Sequence, residues 1–163
     1  DKDAVVSAVI IAEMAAYYKD NGSSLYEALL EMYVDFGIYQ EKLISITKKG
    51  KSGAEEILEM MKNFRENPPA SLGGSDVVTI KDYKSAKEKN VKTGEVSQID
   101  LPSSNVLQFI TEDGAIISAR PSGTEPKIKF YCSVNDTIAT VHEYPFVQKK
   151  LMDKIDQIME ELS

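Results

Sequence analysis

Ala115-Ile116-Ile117-Ser118-Ala119-Arg120-Pro121-Ser122-Gly123-Thr124-Glu125-Pro126-Lys127-Ile128-Lys129-Phe130-Tyr131-Cys132-Ser133-Val134 reads as two strands joined by a stiff polar loop. Past the loop, Ile128, Phe130, Cys132 and Val134 alternate with Lys129, Tyr131 and Ser133. That period of two marks a half-buried strand whose polar face adjoins the loop. Arg120 offers a planar fork of donors suited to a pair of phosphate oxygens. Ser122 and Thr124 add hydroxyl donors, and Gly123 lets backbone N–H groups approach an anion closely. Pro121 and Pro126 restrict the loop's conformations. A tight connection rich in turn formers is the plain alternative. The combination of residue types favours a phosphate cradle of Arg120, Ser122, Gly123 and Thr124, with Lys127 completing it or solvated at its rim. A carboxylate aimed at a phosphate would be repelled, so Glu125 is expected to face away, bonding loop amides or pairing with a lysine.

Working upstream, residues 105–110 and 115–119 flank Thr111-Glu112-Asp113-Gly114, a hairpin whose Asp-Gly pair supplies positive φ. Residues 76–81 read as a short strand through Val77-Val78-Thr79-Ile80, after the turn Gly73-Gly74. Ile38–Thr47 reads as another strand, with Lys42, Ile44 and Ile46 on one face and Leu43, Ser45 and Thr47 on the other. Residues 84–95 are lysine-rich, mixed in charge and aperiodic, and read as a loop.

Ser52-Gly53-Ala54-Glu55 has the form of a capping box opening a helix whose buried stripe is Ile57, Leu58, Met61 and Phe64, ended by Asn67-Pro68-Pro69. A last helix starts near Pro145 and carries Val147, Leu151, Ile155, Ile158 and Leu162 on its core face. At the other end, residues 3–19 form a helix with apolar groups around much of its circumference, which expects burial on several sides. Asn21-Gly22 ends it, and Ser24-Leu25-Tyr26-Glu27 caps a second helix with Leu25, Leu29, Met32, Tyr33 and Phe36 on one face. Gly37 suits its stop, and Phe36-Gly37-Ile38 makes a reasonable hinge. Tyr17, Tyr18, Tyr26 and Tyr33 are packing aromatics. The expected class is α+β: an antiparallel sheet of four or five strands with two helices on one face, preceded by two helices from elsewhere.

Arg120-Pro121-Ser122-Gly123-Thr124-Glu125-Pro126-Lys127 with Ile128-Lys129-Phe130-Tyr131, joined upstream by Leu101-Pro102-Ser103-Ser104-Asn105-Val106-Leu107 and Glu112-Asp113-Gly114, resembles the last domain of the α-D-phosphohexomutases. That family includes phosphoglucomutase and phosphomannomutase. The resemblance implies a fold similar to the TATA-binding protein, without a role on DNA. It implies residues 1–37 as the helical tail of a preceding domain and 38–163 as a C-terminal phosphate-binding domain. It also implies that the parent moves a phosphoryl group between O1 and O6 of a hexose through a phosphoserine and a glucose 1,6-bisphosphate-type intermediate, with Mg²⁺. Neither the serine loop, the Asp-Gly-Asp-Gly-Asp metal loop nor the Gly-Glu-Glu-Ser-Gly sugar loop occurs in this sequence. The fragment is therefore expected to hold no catalytic residue, metal or cofactor, and to grip the phosphate that is not reacting while sugar choice comes from elsewhere. The partners implied are hexose phosphates and the missing N-terminal domains.

Composition narrows the other classes. The formal net charge of -7 repels polyanions and argues against nucleic acid or an anionic membrane. A small phosphate ester needs only a local cluster such as Arg120, Lys127 and Lys129, since screening in ordinary salt extends about 8 to 10 Å. No apolar run approaches the roughly 20 residues of a membrane span. Asp1-Lys2-Asp3 shows no initiator methionine or leader, so the chain reads as excised from something longer. A single cysteine, Cys132, excludes an intrachain disulfide and reads as a small core residue, compatible with a reducing cytoplasm. His142 is the lone histidine, at a surface helix-start position. Gly50-Lys51-Ser52 fails as a nucleotide loop, because the pattern needs glycine where Ser45 stands. The alternative to the mutase reading is a non-catalytic interaction or regulatory module that keeps the fold.

Overall fold

The computed structural model describes residues 2–48 and 50–162. The chain divides into two compact units, Asp1–Ile38 with Asp136–Gln148, and Tyr39–Asn135 with Lys149–Ser163. In the first, α1 (Ala4–Asp20) is capped by Asp3, whose Oδ1 accepts the Val6 N–H at 2.9 Å. In α2 (Leu25–Phe36) the capping box forms, with Ser24 Oγ accepting from the Glu27 N–H and donating to its carboxylate. Gly37 ends α2 at φ 86°, with a Cβ there falling 3.1 Å from the Asp136 carbonyl. Tyr33 stacks on Tyr144 with ring centroids 5.6 Å apart, and Tyr26 meets Tyr144 edge-on. No residue of α1 is buried.

The second unit is built on a sheet of eight strands: β1 (Ile38–Thr47), β2 (Ser71–Leu72), β3 (Ser75–Asp82), β4 (Lys87–Asn90), β5 (Val96–Gln98), β6 (Leu107–Thr111), β7 (Ile116–Pro121) and β8 (Lys127–Asp136). They run in the order β1-β8-β7-β6-β3-β4-β5, with β2 beside β3, and the pairings among β2 to β8 are antiparallel. The class is α+β, as expected. The strand number is not: four or five were anticipated. The additions are β2, β4 and β5. Both β4 and β5 carry side chains that are mostly solvated on either face, so no apolar alternation marks them. Backbone pairing at the sheet edge holds them, and residues 84–95 are only partly loop.

The register sorts the sheet's faces. Leu107, Phe109, Ile117, Ala119, Ile128, Phe130, Cys132 and Val134 are buried on one side. There α3 (Gly50–Glu66) lays Phe64 edge-on against Phe109 and Phe130, at 6.1 and 6.0 Å between centroids. The last helix, α4 (Tyr144–Leu162), follows a 3₁₀ turn, Val141–Glu143, in which His142 is exposed. Its expected stripe, Val147, Leu151, Ile155, Ile158 and Leu162, is buried. Two local expectations change. Leu58 is 63% exposed: Ile57, Met61 and Phe64 form the inward stripe, and Leu58 sits one residue, about 100°, around the helix from Ile57. Ser52 lies inside α3, which opens at Gly50, so it is not the N-cap. The side chain of Lys51, which a nucleotide loop would use, lies outside the described residues.

Polar ties fasten α4 to the sheet. Lys154 Nζ donates to Asp113 in the β6–β7 turn, and the Thr111 hydroxyl donates to the same carboxylate at 2.7 Å. Burial pushes the Asp113 carboxyl up, but the hydrogen bonds from Lys154, Thr111 and Ser75 and the Lys154 charge outweigh it and hold the group below its usual range. Only Gly114, at φ 85°, takes the positive φ in that turn; Asp113 does not. Near α4, Gly73 at φ 57° donates its N–H to Glu161 at 2.9 Å, and a Cβ on it would lie 2.7 Å from Ile158 Cγ1. Burial pushes the Cys132 thiol up to about 11, partly countered by Lys154, so it stays protonated as a core group.

Two outcomes follow from these contacts. Gly73→Ala adds a left-handed strain and a clash with a buried isoleucine, and should lower stability by about 2 to 4 kcal/mol in urea unfolding. Gly94→Ala, at φ 75° with open space around it, should lose only about 1 kcal/mol. A carboxylate held below its ordinary range stabilises above that range and loses this as pH falls through the lowered value. Asp113→Asn should therefore be less stable than the parent chain at pH 7, by under about 1 kcal/mol given its exposure, with the two unfolding curves converging as pH falls through the lowered carboxyl range.

Candidate functional site

The site expected from sequence sits where β7 passes into β8. Their register sets Arg120 directly opposite Lys129, on the sheet face away from the helices. Lys127, two residues before Lys129, shares that face. Like charges directly across a ladder are unfavourable by about 0.2 to 1 kcal/mol, yet this chain of net charge -7 places them together. Arg120 is exposed, and Lys127 and Lys129 are half-buried. Among the described residues, neither the Arg120 guanidinium nor the Lys129 ammonium has an ion-pair partner. Lys127 has one: its Nζ lies 4.0 Å from Glu125 Oε2. Glu125 is exposed and serves as that partner, one of the two roles expected for it.

The loop is closed by its own backbone. The Ser122 N–H donates to the Lys127 carbonyl at 2.7 Å, the Lys127 N–H to the Glu125 carbonyl at 2.8 Å, and the Lys48 N–H to the Pro126 carbonyl at 2.9 Å. Ser122 Oγ accepts two long bonds, from the Thr124 and Glu125 N–H groups at 3.4 Å each. Its own O–H is left to donate outward. The Ser122 amide is thus spent on the loop, whereas the Gly123 N–H and Thr124 hydroxyl have no partner among the described residues. Gly123 has a negative-φ backbone, and nothing lies within 4 Å of where its Cβ would be. Neither strain nor crowding within the chain calls for a glycine there.

Two recesses flank the loop. One of about 180 Å³ is lined by Arg120, Pro121, Ser122, Gly123 and Lys129. The other, about 440 Å³, lies between the loop, the first half of α3 and Asn105. Asn105 is held by Arg65, whose Nη2 donates to its Oδ1 at 2.7 Å while Nε faces Asp82. Of the residues singled out in the sequence, Arg120, Ser122 and Gly123 therefore meet at the smaller recess, Thr124 borders the larger, and Lys127 is engaged with Glu125. Lys129 is the second cation of the smaller recess. Its place was legible in the alternation of Lys127, Lys129 and Tyr131, but its direct opposition to Arg120 depends on the strand register.

Among the described residues, no group of three His, Cys, Asp or Glu side chains is arranged to hold a metal ion, and no helix is long and apolar enough to cross a membrane. The family model for the phosphoglucomutase/phosphomannomutase C-terminal domain matches residues 61–144. A phosphoglucomutase of Staphylococcus haemolyticus is 35% identical over 135 residues, and one of Staphylococcus aureus is 39% identical over 134. These alignments take in 83% and 82% of this chain and 24% of each relative, so the chain spans about a quarter of the length of the curated relatives it matches. Among solved structures, the open form of parafusin, a phosphoglucomutase from Paramecium, aligns at a TM-score of 0.42 and 14% identity, over 89% of this chain and 26% of that one. The matched segment holds β6, β7, β8 and the loop between the last two, and the chain belongs to the phosphoglucomutase/phosphomannomutase family, as a C-terminal domain.

Proposed function

We propose that this chain is the part of a phosphohexomutase that holds the non-reacting phosphate of a hexose phosphate while a phosphoryl group moves between O1 and O6. The observation that carries this reading is the pair Arg120 and Lys129, facing each other beside an open recess with no acidic partner. A dianion between them would relieve their mutual repulsion and accept charge-assisted hydrogen bonds. The Ser122 hydroxyl and the Gly123 N–H add neutral donors at the same place. A side chain at 123 would project into open space where an oxyanion approaches, which accounts for the glycine. Thr124 and Lys127 would complete the grip once a ligand competes with Glu125 for the lysine.

Such a site positions one end of the substrate and leaves the chemistry to the other end. The parent's phosphoserine, its Mg²⁺ and a bisphosphate intermediate are implied by the family likeness. The described residues offer no ligand set that fits Mg²⁺, so its ligands would come from other parts of the parent, and no step here passes through it. A cytoplasmic location goes with a sugar-phosphate enzyme and a protonated, buried Cys132.

We also propose that residues 1–37 are the tail of the preceding domain. Support comes from α1, where Val5, Val9, Ile11 and Met14 are each 45 to 76% exposed. An apolar helix left in water in this way is a contact surface for other parts of the parent.

Following the amides of residues 122–124 by NMR during addition of inorganic phosphate tests the site. Saturable shifts are expected, with Arg120→Ala weakening binding about 10- to 100-fold and Lys129→Ala weakening it less. A folded chain whose loop amides do not respond at any phosphate concentration would favour the interaction-module reading. For the N-terminal pair, sedimentation of the 163-residue chain should reveal concentration-dependent self-association. Replacing Val9 and Ile11 by glutamate should abolish it without lowering the melting temperature; a monomeric parent chain would contradict the proposed boundary.

A further inference from the structure

We infer that the open face of the sheet extends the phosphate recess into a subsite for the sugar ring that the phosphate carries, with Tyr131 and Ser118 as contacting residues. This rests on the phosphate reading of Arg120 and Lys129. The register sets Gln108 opposite Ser118 and Ser118 opposite Tyr131, forming a row across β6, β7 and β8. The next row toward the loop on the same face is Arg120 and Lys129. Residues two apart on one face of a strand stand about 6.5 to 7 Å from each other. That is close to the span from a phosphorus atom across the pyranose ring it esterifies.

The neighbouring row borders a recess of its own. Its volume is about 280 Å³, and Glu41, Leu43, Ile116, Ser118, Tyr131 and Ser133 line it. Tyr131 lines it and is 40% exposed, offering aromatic surface to the C–H side of a sugar. Gln108 Nε2 donates to Ser118 Oγ at 2.9 Å, which leaves the Ser118 proton to donate to a ligand. Glu41 is an exposed acceptor at the rim. An aromatic face, a fixed hydroxyl and a carboxylate match a polyhydroxylated ring. Leu43 and Ile116 add apolar surface at the same recess for the C–H side of the ring. The sequence expectation placed sugar choice wholly elsewhere; this row gives the domain a share in it.

The test compares methyl phosphate with glucose 6-phosphate, two monoesters that differ in the ring, binding to the 163-residue chain by NMR. Glucose 6-phosphate should bind about threefold to tenfold more tightly and shift Ser118 and Tyr131 as well as the loop. Tyr131→Ala should remove that advantage while leaving methyl phosphate affinity unchanged, and Tyr131→Phe should retain most of it. Equal affinities, with shifts confined to residues 120–129, would overturn the sugar subsite and leave the phosphate site standing. If neither ester moves the loop amides, the phosphate reading falls, and the subsite with it.

Discussion

Everything specific about this domain depends on the antiparallel register of β7 on β8. Pairing Ile117 with Cys132 and Ala119 with Phe130 delivers four buried residues to the helix-covered side. Because side chains alternate with a period of two, the same pairing sends Ser118, Arg120, Lys129 and Tyr131 to the opposite side. A slip by one residue would put two cations into the core and solvate a phenylalanine. The hydrophobic demand of one face therefore determines the charge geometry of the other, and the recess between Arg120 and Lys129 comes with the packing of the core.

The tie between α4 and the sheet serves that arrangement indirectly. Lys154 on Asp113 and Glu161 on the Gly73 amide fasten the helix near the end of the sheet away from the candidate site. At the loop end the half-buried pair of Arg65 and Asp82 ties α3 to β3, while within the loop the Lys127 and Glu125 pair, at 4.0 Å with Glu125 exposed, is worth little by itself. The loop is shaped instead by main-chain bonds and by two prolines, which hold its form without using up its charges. A guanidinium not committed to any acid remains available to a ligand.

The N-terminal pair obeys a different logic. Its capping groups and glycine stop are local, and they form as local interactions should. Apolar groups around α1 stay largely uncovered within the described residues, since helix formation needs only near neighbours whereas burial needs a second surface. The relatives, about four times as long over the same match, show that the family supplies further chain in which such a surface could lie.

Sequence alone was enough to determine the elements with one apolar face: β6, β7, β8, the stripe of α4, most of that of α3, and the strand-to-strand loop from Arg120 to Lys127, because periodicity and turn chemistry are local. It did not reveal β4 and β5, whose side chains face water on both sides and whose existence is a matter of backbone pairing with β3. Leu58 looked like core because it is apolar, and only the placement of Phe64 against Phe109 and Phe130 decided which arc of α3 faces inward. The site divided in the same way. Which residues carry donors suited to an anion was written in their chemistry. That Lys129 faces Arg120, that Lys127 meets Glu125, and that Tyr131 and Ser118 form the adjoining row were decided by strand register, a relation between segments distant in sequence that no local pattern encodes.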